Sequence, residues 1–258
     1  MPKSIRDRLY LSTIAEDDYE QAQAHGLGLE IAEFCTAMNM DGELFECFDT
    51  NVKIKMKYAD RFVFHAPFSE MAPCAVDPKI RAVTMERYLQ AIRLAADYGV
   101  TRVVIHSGFI PQVYFPQWFV KQSVVFWKEL LPQIPDGTQL LLENVMERDP
   151  EPTCAVVRQV DDPRLRLCLD VGHVNVSDPS RDIRKWLECF RPYLEHVHIH
   201  NNDGVTDWHR ALPDGIIDMA AVLDWLNDNA PHATVTIETM NCGDSIDWLQ
   251  EKGYLETK

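Results

Sequence analysis

Short apolar runs alternate with longer amphipathic stretches along nearly the whole chain. Strand-length runs recur at RLYLSTIA, GLGLEIAEF, DRFVFHAPF, VTRVVIHSG, TQLLLENV, LRLCLDVGH, EHVHIHN and ATVTIETM. Between several of them, IRAVTMERYLQAIRLAADYG, PQWFVKQSVVFWKELLPQI, SRDIRKWLECF and DMAAVLDWLNDNA carry apolar residues at helical spacing. Pro132, Pro135 and Gly137 interrupt the chain just before TQLLLENV, as a helix-to-strand turn would. An open doubly wound sheet would call for a glycine-rich phosphate loop after the first strand. LYLSTIAEDD has no glycine, and no GxGxxG or P-loop pattern occurs elsewhere. Eight strands alternating with helices in about 250 residues instead predict an α/β chain folded as a (β/α)8 TIM barrel. One domain over residues 1–258 is expected.

Six of the runs stop on a residue that divalent metals choose as a ligand: His65, His106, Glu143, Asp170, His198 and Glu238. His173 follows on the turn after Asp170, and Asp207 and His209 flank Trp208 in the polar segment NNDGVTDWHRALPDG. A loop that long in a compact domain usually serves a function. In a parallel barrel the C-terminal ends of the strands converge on one mouth, so residues distant in sequence can share an ion there. A lone histidine at a strand end is ordinarily a hydrogen-bonded structural residue. Ligand types closing six runs are hard to explain that way. Mixed imidazoles and carboxylates suit Zn²⁺, Mn²⁺, Fe²⁺ or Co²⁺ rather than Ca²⁺. Glu143, Asp170, His198 and Glu238 form the core of the expected site, although His196 and His200 share the period-two face of His198. Phe68, Phe109, Trp118 and Trp208 are candidates for an apolar wall, and Arg210 for contact with a substrate anion. His25 and His232 read as surface residues.

Composition narrows the partners. The net charge of −15 argues against a phosphate-backbone surface, because nucleic-acid binders draw most of their affinity from Lys and Arg. Seven cysteines with no CxxC pair suit reduced core thiols in a cytosol-like compartment. The start MPKSIRDRLYLS does not resemble a secretory signal, and no run reaches membrane-spanning length. A cytoplasmic protein with a small-molecule partner and no membrane contact is expected; self-association into a homo-oligomer stays open.

The motifs resemble those of the xylose isomerase-like barrel superfamily, which also contains endonuclease IV. They are Glu143-Asn144 in LLLENV, Asp170 and His173 in LDVGH, the stretches HIHNND, DWH and LPDGIID, and Glu238 in TIE. The match runs from about residue 60 to residue 240 and selects His198 over its two neighbours. Two positions depart from the pattern: Asn201 stands where the family usually has Asp, and LPDGIID lacks the first glycine, with Pro213 nearby.

The resemblance implies one of two chemistries. Sugar isomerases and epimerases of the superfamily use one ion on residues matching Glu143, Asp170, His198 and Glu238. Glu143 and Glu238 would then pass a proton through an enediolate on a small carbohydrate or sugar phosphate. Endonuclease IV holds three ions. Its pattern would place Glu143 between two of them, His65 and His106 on one, and His173, Asp207 and His209 on the third. Zn²⁺ or Mn²⁺ is the expected cofactor, as one ion or up to three. The acidity of the chain, and the lack of the extended nuclease signatures around the ligands, rank the isomerase or epimerase first and the phosphoesterase second. A barrel that has lost catalysis ranks last, because every ligand position is retained.

Overall fold

The computed structural model describes residues 3–256; the first two and last two residues of the expected domain lie outside this description. Eight strands form a closed, all-parallel barrel in chain order. They are β1 (Leu9–Ser12), β2 (Gly28–Ile31), β3 (Phe62–His65), β4 (Arg102–His106), β5 (Gln139–Glu143), β6 (Leu165–Asp170), β7 (Leu194–Ile199) and β8 (Thr234–Ile237). The helices around them are α1 (Asp18–His25), α2 (Gly42–Lys55), α3 (Pro78–Asp97), α4 (Pro116–Leu130), α5 (Glu151–Val160), α6 (Val171–Ser177), α7 (Ile183–Phe190), α8 (Met219–Asn229) and α9 (Gly243–Lys252). The expected (β/α)8 TIM barrel is what the chain forms, with two short helices, α6 and α7, between β6 and β7. None of the described helices is long and apolar enough to cross a membrane.

Alternation along the strands divides the apolar residues between two zones. One face of each strand packs against the helices in a large outer core containing Phe64, Tyr88, Trp127, Leu142, Trp186 and Phe190. The other face fills the barrel with a separate plug of Tyr10, Val63, Val104, Leu141 and Cys168. Two residues beyond four of these plug positions come His65, His106, Glu143 and Asp170, on the same face and one layer higher. His106 pairs in register with Glu143, and Asp170 with His198. The convergence of ligands is therefore a direct consequence of strand parity.

Helix starts are set by short polar caps. Asp182 accepts from the Lys185 N–H at 3.0 Å and Asp218 from the Ala221 N–H at 3.0 Å. Pro78 opens α3 behind the Asp77 cap. All seven cysteines are free thiols. Cys74, Cys154, Cys168 and Cys242 are buried as expected, but Cys47 is exposed and Cys35 and Cys189 are only partly covered, so the core-thiol expectation holds for four of them.

The long connection after β7 is held by Asn201. Its amide donates to the Leu212 carbonyl at 2.7 Å and the Ile217 carbonyl at 3.2 Å, while its oxygen accepts from the Ile217 N–H at 3.0 Å. Its backbone pairs antiparallel with Arg210. Gly215 lies so close that a Cβ there would sit 2.2 Å from the Asn201 oxygen. An aspartate could not donate to either carbonyl, which explains why Asn suits this loop. Asn201→Asp should destabilise the fold by on the order of 3 kcal/mol through two lost buried donors. Chemical denaturation of both proteins checks this; unchanged stability would contradict the role given to Asn201.

Candidate metal centre

Glu143 is fully buried at the end of β5, and neither of its carboxylate oxygens has a hydrogen-bond partner. Its two oxygens face different neighbours. Oε2 lies 3.5 Å from His65 Nε2 and 3.3 Å from His106 Nε2. Oε1 lies 3.4 Å from His173 Nδ1 and 3.4 Å from His198 Nδ1. His198 Nδ1 is also 3.2 Å from Glu238 Oε2 and 3.8 Å from Asp170 Oδ2. On the far side, His173 Nε2 is 3.2 Å from Asp207 Oδ2, which in turn is 3.3 Å from His209 Nε2.

Among the described residues four groups are tight enough to hold an ion: His65, His106 and Glu143; Glu143, Asp170, His198 and Glu238; His173, His200, Asp207 and His209; and Cys168, His196 and His198. The last includes none of the other expected ligands. All nine expected ligands are brought together. His200 joins them, although the sequence motifs ranked it behind His198. Gly172 makes room for it, since a Cβ there would meet the His200 ring at 2.0 Å. The His200 ring stacks on His209 at 3.9 Å between centroids.

Several imidazoles are fixed through one ring nitrogen. His65 Nδ1 meets the Ala66 carbonyl at 2.8 Å and His209 Nδ1 meets the Glu238 carbonyl at 2.8 Å. His173 Nδ1 lies 2.9 Å from the Asn144 carbonyl, and His198 Nε2 lies 3.2 Å from Glu30 Oε2. In the neutral rings, donation to these oxygens leaves the opposite nitrogen free, facing Glu143 on His65 and His198 and facing Asp207 on His173 and His209. Asp170 does double duty: one oxygen caps α6 through the His173 N–H at 2.7 Å, and the other has no partner. Asn144 ties β5 to β6 by exchanging hydrogen bonds with the Asp170 backbone, both at 3.0 Å. His209 has φ of 46°, a left-handed conformation that a well-held loop must impose.

The orphaned oxygens of Glu143 and Asp170, and the ring nitrogens of His198 and His200, test whether a divalent cation suits this set. Buried polar atoms without partners are costly, and nitrogen with oxygen donors at these spacings suits a borderline metal such as zinc. The residues present fit such ions.

The family model for xylose isomerase-like TIM barrels matches residues 21–254. The chain belongs to this family. An uncharacterized protein of Methanocaldococcus jannaschii, MJ1311, is 28% identical over 220 residues, covering 80% of this chain and 75% of the relative. A solved Thermus thermophilus protein, TTHB071, from crystals soaked with ZnCl2, is 27% identical with a TM-score of 0.77, covering 97% of this chain and 100% of its own. A solved D-tagatose 3-epimerase-like protein is 24% identical with a TM-score of 0.78, covering 96% of each chain.

The residues expected around the ligands divide between the cavity and other places. Phe68 and Phe109 line the cavity over the ligands. Trp208 and Arg210 line a neighbouring depression instead, and Trp118 donates to the Cys74 carbonyl at 3.1 Å while packing on the outer core. His232 is exposed and bonds the Leu194 carbonyl at 3.0 Å, away from the site. Glu30 was not among the expected site residues. It is fully buried on β2 beneath the ligands, within 3.0 Å of His196 Nε2 as well as His198 Nε2. An acid in the middle of the otherwise apolar run GLGLEIAEF was the available signal.

Burial opposes charge on every group here, yet the pairs outweigh it. Glu238 is held down to about 2 despite burial, by His198 and His209, and Glu143 lies well below the carboxylate range through His106 and His198. Burial likewise works against the charged His209, but Asp207 and Glu238 raise it to about 9; His173 and His198 also stand well above the ordinary 6.5. His106 goes the other way, lowered by burial. Without a cation, raised imidazoles keep their protons through neutrality, and a bound cation must displace them. Cation affinity should therefore climb as pH rises from 6.5 towards about 9. At pH 7 binding should release protons, read by calorimetry in buffers of different ionisation enthalpy. The stability that charged His209 lends the cation-free fold is complete below 6.5 and lost as pH rises through about 9.

Proposed function

We propose that this chain is a divalent-cation-dependent hydrolase of a phosphate ester, working at a centre of up to three ions. The observation that carries it is the splayed environment of Glu143, with one oxygen turned to His65 and His106 and the other to His173 and His198. A carboxylate so placed belongs to two ligand groups at once, and a one-ion site has no use for that. Bound cations would polarise the ester and offset the negative charge that grows in its transition state. The chain's own part is to hold donors rigid: carbonyls fix His65, His173 and His209, and the buried Glu30 fixes His198. Asp207 and His209 close the third group from a loop that Asn201 pins to the barrel.

A sugar epimerase is the second reading, favoured by the completeness of the Glu143, Asp170, His198 and Glu238 group by itself. Glu143 and Glu238 approach His198 Nδ1 at 3.4 and 3.2 Å, and two carboxylates near one substrate carbon are what proton transfer through an enediolate requires. The printed name of the epimerase-like neighbour agrees with it.

Metal analysis separates the two. Protein purified without chelators and reloaded should bind about three divalent ions per chain, and Asp207→Ala should lose about one of them. Hydrolysis of simple phosphate esters should fall at least about a hundredfold in Glu143→Ala. A single tight ion per chain, with deuterium from solvent entering ketoses next to the carbonyl, would replace the hydrolase with the epimerase.

A further inference from the structure

The cavity over the ligand groups has a volume of about 660 Å³, and its floor and wall differ in chemistry. The floor is polar: His65, His106, Glu143, His173, Asp207, His209 and Glu238. The wall is built largely from Phe68, Met71, Ile80, Ile110, Tyr114 and Met146. Phe68, Ile80, Ile110 and Met146 keep 41–49% of their surface open, so large apolar side chains are left to water around this one opening. Apart from the ligand set, Ser69, Glu70 and the Tyr114 hydroxyl are the only polar side chains on the lining, which includes no Lys, Arg, Asn or Gln.

Such a wall is ill suited to a hydroxyl-rich body. Each hydroxyl drawn from water would lose hydrogen bonds that the cavity cannot return. An apolar body gains instead. Wall and floor are also continuous: the Phe68 ring lies flat against His106 at 4.6 Å between centroids and edge-on to His65 at 5.9 Å. A group attached to a head held at His65, His106 and Glu143 must run alongside Phe68.

We propose that the substrate joins its metal-seeking head to an apolar body, aryl or medium-chain alkyl, and that the Phe68, Ile80, Ile110 and Met146 wall binds that body. This deepens the phosphate-ester reading and rests on it for the identity of the head. It also accounts for the position of Arg210 outside the cavity, where it plays no part in gripping the head.

A binding series that involves no turnover tests it. Hydroxamates chelate divalent ions whatever reaction the site performs, so acetohydroxamate, hexanohydroxamate and octanohydroxamate are titrated into Zn²⁺-loaded protein by calorimetry. Affinity should rise by roughly two- to fourfold for each of the first few added methylenes. Octanohydroxamate should then bind at least about 30-fold more tightly than acetohydroxamate. The double variant Ile80→Ser, Met146→Ser, at half-exposed positions, should cut that gain to below about fivefold while zinc content and acetohydroxamate affinity hold. Equal affinity along the series overturns the proposal, and so does failure of every hydroxamate to bind. Methylphosphonate and octylphosphonate in the same assay report on the head. If the hydroxamates show the gain and neither phosphonate binds, the apolar body stands and the phosphate head falls.

Discussion

Burying the Glu143 carboxylate with no hydrogen-bond donor costs several kcal/mol unless positive charge faces it. Much of the architecture serves that requirement. Four imidazoles surround its two oxygens, from β3, β4, α6 and β7. A carbonyl ties His65 from behind and Glu30 ties His198, so the opposite nitrogens of these two rings converge on Glu143. His173 meets it through the same Nδ1 that faces the Asn144 carbonyl. In the cation-free chain the raised imidazoles supply the compensating charge themselves. The charge at the site is thus balanced by imidazole protons.

That balance depends on strand parity. Because successive side chains in a strand point to opposite faces, a residue two beyond the barrel plug must emerge one layer higher inside the barrel. Val63 fixes His65 in this way, Val104 fixes His106, Leu141 fixes Glu143 and Cys168 fixes Asp170. A one-residue slip in any strand would send its ligand into the outer apolar core. Closure of the sheet leaves no edge at which a slip could be absorbed. The loop residues lack this guarantee. Asp207 and His209 instead depend on Asn201, Gly215 and the paired backbone at Arg210.

This division explains what could be read from the chain. Polar residues ending apolar runs mark the strands, and their recurrence over six runs made His65, His106, Glu143 and Asp170 legible together rather than singly. His200 was less legible, because its place beside His209 arises from the fold of the loop and the absence of a side chain at Gly172. Glu30 sits within its strand rather than at its end, and only the closed barrel brings it beneath His198. Arg210 and Trp208 adjoin His209 in sequence, yet its left-handed backbone turns the chain and puts them over another depression. From the sequence only Phe68 and Phe109 were expected of the apolar wall. Its side chains come from the turns after β3, β4 and β5 and the start of α3, and nothing in their spacing marks them as neighbours.

Charge and shape act on a substrate at different ranges. A formal charge of −15 repels a polyanion along its whole length, beyond the first contact, whereas cations at the base of a cavity attract a single anionic head only once it has entered. A nucleic-acid duplex would need basic residues flanking the mouth to offset that repulsion, and the cavity lining offers none. A compact molecule with one anionic end carries little charge for the surface to repel, and its apolar portion finds Phe68 and Ile80 waiting at the entrance. The acidic exterior therefore opposes the approach of a polyanion more strongly than that of a small molecule with a single anionic end.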